Sequence, residues 1–219
     1  MTVGIVGRGR MGRGLAEAVR QAGLHPLLVP GRADPRRVAD LLDRAALVVL
    51  AVPFPAAVEF LRGPAGRRGR GRTLVDPTNP VFCEPPMVPP GRSGGELLAE
   101  LAADRAAGPD QPGEGWRVAK AFNTVPAGVL ARCRVNGLPV SLPVAADHPA
   151  ALRDVFALAR ALGFAPLDAG GISTARHLEA LTGLLMAVSD RQGLRGQVSI
   201  HIGVPSSDRT VREPACRAG

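Results

Sequence analysis

Residues 3–15, VGIVGRGRMGRGL, constrain the fold of this chain more than any other stretch. A short apolar run, 3–6, leads straight into Gly7, Gly9 and Gly12, and an amphipathic segment follows at once. Strand, tight glycine turn and helix is the order that brings backbone N–H groups against a pyrophosphate. Gly7 permits the sharp turn. Gly9 lets a phosphate approach the main chain, and Gly12 lets the helix lie close to the strand. The helix N-terminus then presents unsatisfied donors and the positive end of its dipole to the anion.

The rest of the chain alternates in the same way. Leu15, Ala18, Val19 and Ala22 fall at helical spacing over 10–22, and Gly23 ends the run. A strand is expected at 25–29, a short helix around Val38, Leu41 and Leu42, and a doubly buried strand at 46–52. Further helices are expected at 55–61, 95–107, from Pro149 (capped by Asp147 or His148) and at 173–188, with strands at 73–75, 116–121, 139–145 and 165–167. In the last helix Leu178, Leu181, Leu185 and Val188 mark the apolar face. This alternation predicts an α/β chain: a Rossmann-type, doubly wound, mostly parallel sheet. The length suits one α/β domain with a small appended part, and the polar, aperiodic residues 204–219 are expected to be a disordered tail.

The formal charge of +8 comes almost wholly from arginine, since Lys120 is the only lysine. The arginines are dispersed except at 62–72, RGPAGRRGRGR, which reads as a flexible, solvated linker; the sharper reading is an electrostatic guide for a polyanion. With no Tyr and one Trp there is no stacking platform for single strands, so nucleic acid is not an expected partner. Cys83, Cys133 and Cys216 are odd in number and widely spaced, which suggests neither a disulfide framework nor a zinc site. No apolar run reaches membrane length and no secretory signal opens the chain, so a cytoplasmic location is expected.

The end of the second strand carries a statement about the nucleotide. An NAD site is expected to place an acidic residue about 20 residues past the glycines, on the ribose 2′-hydroxyl. Here Gly31 and Arg32 stand at that point, Asp34 is the first acid, and Arg36 and Arg37 follow. Guanidinium groups at this place favour a 2′-phosphate, and therefore NADP.

Three further segments, VVLAVPF at 48–54, LVDPTNP at 74–80 and RVAKAFNTVPAGVL at 117–130, place loops at the carboxyl ends of successive strands. With the glycine stretch and LGFAPLDAGGISTARHLEAL at 162–181, the chain resembles the NADPH-dependent oxidoreductases of the deazaflavin coenzyme F420. That family also holds many predicted dinucleotide-binding proteins, and a related domain occurs in membrane ferric reductases. The resemblance implies NADP on Gly7, Arg8, Gly9, Arg10, Met11 and Gly12, with the 2′-phosphate near Gly31, Arg32 and Arg36. It implies the nicotinamide near Ala51, Val52 and Pro53, and coenzyme F420 or another substrate among Phe54, Asn79, Pro80, Phe122, Asn123 and Thr124. It also implies an NADP-binding Rossmann core over 1–135 with a compact C-terminal α/β extension over 136–203, and a homodimer joined through C-terminal helices.

The chain departs from the family in having Arg8 and Arg10 inside the glycine loop and Pro30 before Gly31-Arg32. No catalytic side chain is assigned; water or His177 are the proton donors considered. The acceptor stays open between F420 and another small unsaturated compound, such as an imine or dehydroamino acid. A non-catalytic NADP sensor is the alternative from another class.

Overall fold

The computed structural model describes residues 1–69, 71–80, 83, 86–106 and 115–203. The expected tail at 204–219 lies outside the described residues, as do Arg70 and residues 107–114. The elements are β1 (Thr2–Val6), α1 (Arg10–Gln21), β2 (His25–Val29), α2 (Pro35–Arg44), β3 (Leu47–Leu50), α3 (Phe54–Arg62), β4 (Thr73–Asp76) and α4 (Gly94–Ala106). They continue as β5 (Arg117–Lys120), β6 (Arg134–Val135), β7 (Leu138–Pro139), β8 (Ser141–Ala146), α5 (Pro149–Ala161), β9 (Ala165–Asp168) and α6 (Ala175–Arg191).

Seven strands form one sheet in the order β2-β1-β3-β4-β5-β8-β9. β1 to β5 run parallel; β8 joins β5 antiparallel and pairs β9 in parallel. The chain goes one way from β1 to β2 and the other way from β1 to β3. The topological switch point, where doubly wound folds bind ligands, therefore lies between β1 and β3 at their carboxyl ends. β3 shows why the sheet is a middle layer. Leu47 and Val49 face a core shared with Leu15 and Val19 of α1 and Val155 and Leu158 of α5. Val48 and Leu50 face a second core with Leu41 and Leu42 of α2, Leu61 of α3 and Leu98 of α4. Period-2 alternation thus buries both faces, and the apolar run at 46–52 is its sequence trace.

Three expectations need correcting. The basic stretch 62–72 is not a free linker over its described residues. Residues Pro64–Arg68 form a 3₁₀ turn, Arg68 pairs with Asp43 at 2.6 Å, and Arg72 lies 5.2 Å from the Trp116 ring centre. The stretch joins the end of α3 to the start of β4, at the amino edge of the sheet, opposite the glycine turn; it cannot guide a ligand into that turn. Second, neither expected residue caps α5: His148 holds the cap position without a side-chain bond, and Asp147 Oδ1 instead accepts from the Ile172 N–H at 2.9 Å. Third, a small β6–β7 hairpin, turned by Asn136 (φ 51°) and Gly137 (φ 79°), precedes β8 where no strand pair was expected. The Asn-Gly dipeptide is the hairpin signal in the sequence.

Among the described residues no helix is long and apolar enough to cross a membrane.

Candidate functional site

The glycine turn is tied to the sheet by backbone, and the Arg13 Nε–H donates to the Arg8 carbonyl within it at 2.9 Å. The Gly7 N–H donates to the Val29 carbonyl at 2.8 Å, and φ at Gly7 is 120°. A Cβ there would stand 2.0 Å from the Ala51 carbonyl oxygen, and one at Gly12 would stand 1.9 Å from that of Gly7. Two glycines are therefore needed to bring α1 down onto the ends of β1 and β3. Gly9 is different: no atom lies within 4 Å of where its Cβ would be. Gly9 is the N-cap of α1; no side chain caps it, and the first turn carries no acid. An open face over uncapped helix amides suits a phosphate, so the residues present fit a dinucleotide.

Ala51 and Val52 join this turn directly, since a Cβ on Gly12 would touch the Ala51 Cβ and one on Gly31 would stand 2.9 Å from Val52 Cγ1. Pro53 and Arg32 are exposed beside them. Asp34 is committed as the N-cap of α2, its Oδ1 accepting from the Arg36 N–H at 2.7 Å. The Arg36 side chain borders a separate hollow with Leu27, Val29 and Asp40 on the outer side of β2.

A cleft of about 1050 Å³ opens beside α1. It is lined by Arg10, Met11 and Arg13, by Asn79, by residues 123–128, and by Thr182, Leu185 and Ser189 of α6. The sequence reading thus brings Arg10, Met11, Asn79, Asn123 and Thr124 into one space. Phe54, Pro80 and Phe122 belong elsewhere. Phe54 and Pro80 are buried and close on the backbone of Gly94. Phe122 is fully buried, edge-on to Phe164 at 5.7 Å between centroids. These three are packing residues behind the wall, not its surface. A left-handed φ of 65° at Phe122, rare for an aromatic side chain, turns the chain there, so that Asn123 and Thr124 reach the cleft.

The wall around Asn123 is a hydrogen-bonded unit. The Asn123 amide nitrogen donates to the Leu178 carbonyl at 2.9 Å and to Asn79 Oδ1 at 3.0 Å, and lies 3.1 Å from Thr182 Oγ1. Asn79 Nδ2 returns a bond to the Asn123 carbonyl at 3.1 Å. Asn123 Oδ1 and Thr124 Oγ1 are buried with no partner among the described residues. Such atoms ordinarily find one, and each marks a place where a ligand or water completes the network.

Behind this wall stands a group that sequence reasoning missed. Lys120 is fully buried and gives its ammonium protons to Asp76 Oδ2 at 2.9 Å, Glu179 Oε1 at 2.7 Å and the Thr78 carbonyl at 2.6 Å. Asp76 Oδ1 accepts from the Thr78 N–H and hydroxyl, at 2.8 and 2.6 Å. Glu179 accepts from the N–H groups of Gly94 and Gly95, each at 3.1 Å. Two carboxylates on one ammonium are tolerable in the interior because the α4 amides share the second charge. The unit joins the loops after β4 and β5 to α4 and α6. The signal available in the sequence was Glu179 and Thr182 breaking an otherwise leucine-rich helical stripe. His177, on the same helix, is exposed and does not line the cleft.

No family model matches the chain. Among proteins of known name it is 30% identical over 190 residues to metalloreductase STEAP3 of Rattus norvegicus, covering 82% of this chain and 36% of that protein. The chain therefore spans about a third of the length of that relative. It is 31% identical over 169 residues to the F420-dependent NADP reductase of Methanothermobacter marburgensis, covering 72% of this chain and 68% of that enzyme. Among solved structures, a chain from Arthrobacter sp. FB24, itself assigned only by inference as an F420-dependent NADP reductase, superposes with a TM-score of 0.70. That match has 26% identity and covers 88% of this chain and 95% of the other. With this fold, this glycine turn and these relatives, the chain belongs to the F420-dependent NADP reductase family.

Proposed function

We propose that the protein is an NADP(H)-dependent oxidoreductase whose second substrate is the deazaflavin coenzyme F420. The observation that carries this reading is the uncapped, acid-free N-terminus of α1 opening beside a cleft of about 1050 Å³ that α1 shares with the loops after β4 and β5 and with α6. The relatives, F420-dependent NADP reductases of two Methanothermobacter species, support the choice of both partners.

The amides at the start of α1 hold the pyrophosphate over Gly9. Arg32 takes the 2′-phosphate, with Arg36 near the same strand end, and the absence of any acid over 24–33 removes the usual reason to prefer NAD. Ala51, Val52 and Pro53 form the surface against which the nicotinamide lies. NADPH, when bound, supplies the hydride. Asn79, Asn123 and Thr124 receive the polar edge of the acceptor ring, and the buried Lys120 unit keeps that wall in register. Hydride passage between two stacked rings asks the protein for position and exclusion of water more than for a reacting side chain. The described lining of the cleft holds no Ser-His-Asp or Cys-His constellation, which suits that demand. The exposed apolar side chains of α6, Leu184 (60% exposed), Met186 and Val188, suit the contact of a homodimer, which light scattering at low concentration tests.

Purified protein mixed with NADPH and oxidised F420 should bleach the deazaflavin colour catalytically. Retained NADPH binding without bleaching would sink F420 as the acceptor while leaving NADP in place. Loss of both would sink the reading of the glycine turn as well.

A further inference from the structure

The glycine turn and the Asn123 wall do not account for the outer part of the cleft. Arg10 and Arg13 of α1, Arg132 before β6 and Arg195 after α6 all border it, against a single carboxylate, Asp190. These arginines are exposed, and none is in an ion pair among the described residues. Arg195 is held in place by a specific turn. Its φ is 51°, between Gly193 and Gly196, and the turn is tied to α6 by the Gly196 N–H on Ser189 Oγ at 2.7 Å and the Leu194 N–H on the Ser189 carbonyl at 2.8 Å. Left-handed backbone at a non-glycine residue costs of order 1–3 kcal/mol and persists where the surroundings enforce it. Arg132 and Arg195 belong neither to the glycine turn nor to α1, and they border the same cleft from other parts of the chain.

A concave space with four guanidinium groups on its border attracts polyanions, and each planar fork matches a phosphate or carboxylate. At its inner end the same space is lined by Asn123 and Thr124, the residues with buried polar atoms lacking a partner. One end thus calls for a neutral, hydrogen-bonding head and the other for an anionic tail.

We propose that the cleft selects its acceptor by an anionic tail, with Arg132 and Arg195 as the tail clamp and Asn123–Thr124 as the seat of the head. This rests on the reading that the acceptor is a deazaflavin coenzyme, whose tail carries a phosphate and glutamate. The tail runs outward over the arginines of the cleft; the basic stretch 62–72 at the opposite edge of the sheet takes no part in it.

The test compares the full coenzyme with its tailless deazaflavin riboside, at saturating NADPH, in the native protein and in the double variant Arg132→Gln/Arg195→Gln. The native protein should favour the full coenzyme in kcat/KM by about tenfold or more at low salt, and the preference should shrink as salt rises. The double variant should lose that preference and its salt dependence. Its turnover of the riboside, its NADPH affinity and its melting temperature should stay near native values. Equal use of both acceptors by the native protein overturns the clamp, as does an unchanged preference in the variant. A variant that loses NADPH affinity in parallel would reassign the arginines to the dinucleotide. Reduction of neither acceptor, with NADPH bound, would fail the deazaflavin reading itself, a result distinct from reduction of both alike.

Discussion

Two of the helices that begin at the carboxyl edge of the sheet, α1 and α4, begin in opposite ways. The N-terminus of α4 is closed by the protein's own oxygens. Ser93 and Glu96 form a reciprocal capping box, Glu96 Oε2 accepting from the Ser93 N–H and hydroxyl at 2.8 Å each, and Ser93 Oγ accepting from the Glu96 N–H at 3.2 Å. Glu179 takes the N–H groups of Gly94 and Gly95. The N-terminus of α1 has no side-chain cap and no acid in its first turn. Every helix leaves its first amides without an intrahelical partner. Where the chain spends carboxylates on them, as at α4, the helix end is a structural joint. Where it withholds them beside an open space, as at α1, the end suits the anion of a ligand.

The largest effect is expected at the joint. Glu179→Ala leaves two α4 amides without partners and removes one of the two carboxylates on a fully buried ammonium. Breaking one side of such a group costs about 3–5 kcal/mol, read as a lower unfolding midpoint in denaturant. A loss under about 1 kcal/mol would mean that α4 is not held by this unit, and the contrast between the two helix ends would collapse. NADPH affinity per folded molecule should change little, because the defect lies at the other helix.

Ser93→Ala removes half of the capping box and should cost about 1 kcal/mol. The effect has a pH signature. Burial pushes the Glu96 carboxyl up, but the bonds from Ser93 and Arg176 and the Arg176 charge outweigh it and hold the group below its ordinary value. A carboxylate with a lowered value stabilises the fold above its unfolded value and loses that contribution as pH falls through the lowered one. The native protein should therefore lose more stability on acidification than Ser93→Ala does, in urea titrations at neutral and acid pH. Equal acid losses would show that Ser93 does not govern the Glu96 charge.

The two helix ends also differ in how far the sequence announces them. The α1 end is written in local signals: a β-rich run, three glycines at fixed offsets, and helical spacing immediately after. Each can be read within a dozen residues, and the strands β1 to β5 were legible for the same reason. The α4 end depends on Glu179, 85 positions from Gly94, and on Lys120, 44 positions from Asp76. Nothing local to Glu179 says that it faces inward, and helical periodicity points instead to the leucines around it. Val188, assigned by that periodicity to the apolar face, is 40% exposed, while Glu179, Thr182 and Ser189 are buried. The same limit explains Phe54 and Phe122: the family resemblance put them at the acceptor, and only packing over long separations shows that they face the core. The stretch 62–72 failed in the reverse sense. Its composition suggests mobility, yet a Cβ on Gly66 would stand 1.8 Å from the Leu61 carbonyl oxygen, so the turn is packed tightly against α3.

The smallest change in stability should come from Gly9→Ala, and it is the sharpest test of the open helix end. Gly9 has φ −69° and ψ −173°, a conformation alanine adopts without strain, and its Cβ would meet nothing within 4 Å. Alanine is a poorer N-cap than glycine, but it loses less backbone freedom on folding, so the net change should stay within about 0.5 kcal/mol. The methyl group would occupy the space above the first amides of α1, where a phosphate must come within hydrogen-bonding distance of the main chain. NADPH affinity should then fall by about tenfold or more, near 1.4 kcal/mol, in a titration of the folded protein. The contrast with Glu179→Ala is the point: one variant loses stability and keeps its ligand, the other keeps stability and loses it. Native NADPH affinity in Gly9→Ala would mean that the phosphates lie elsewhere, and that the uncapped end of α1 is only a helix end facing solvent.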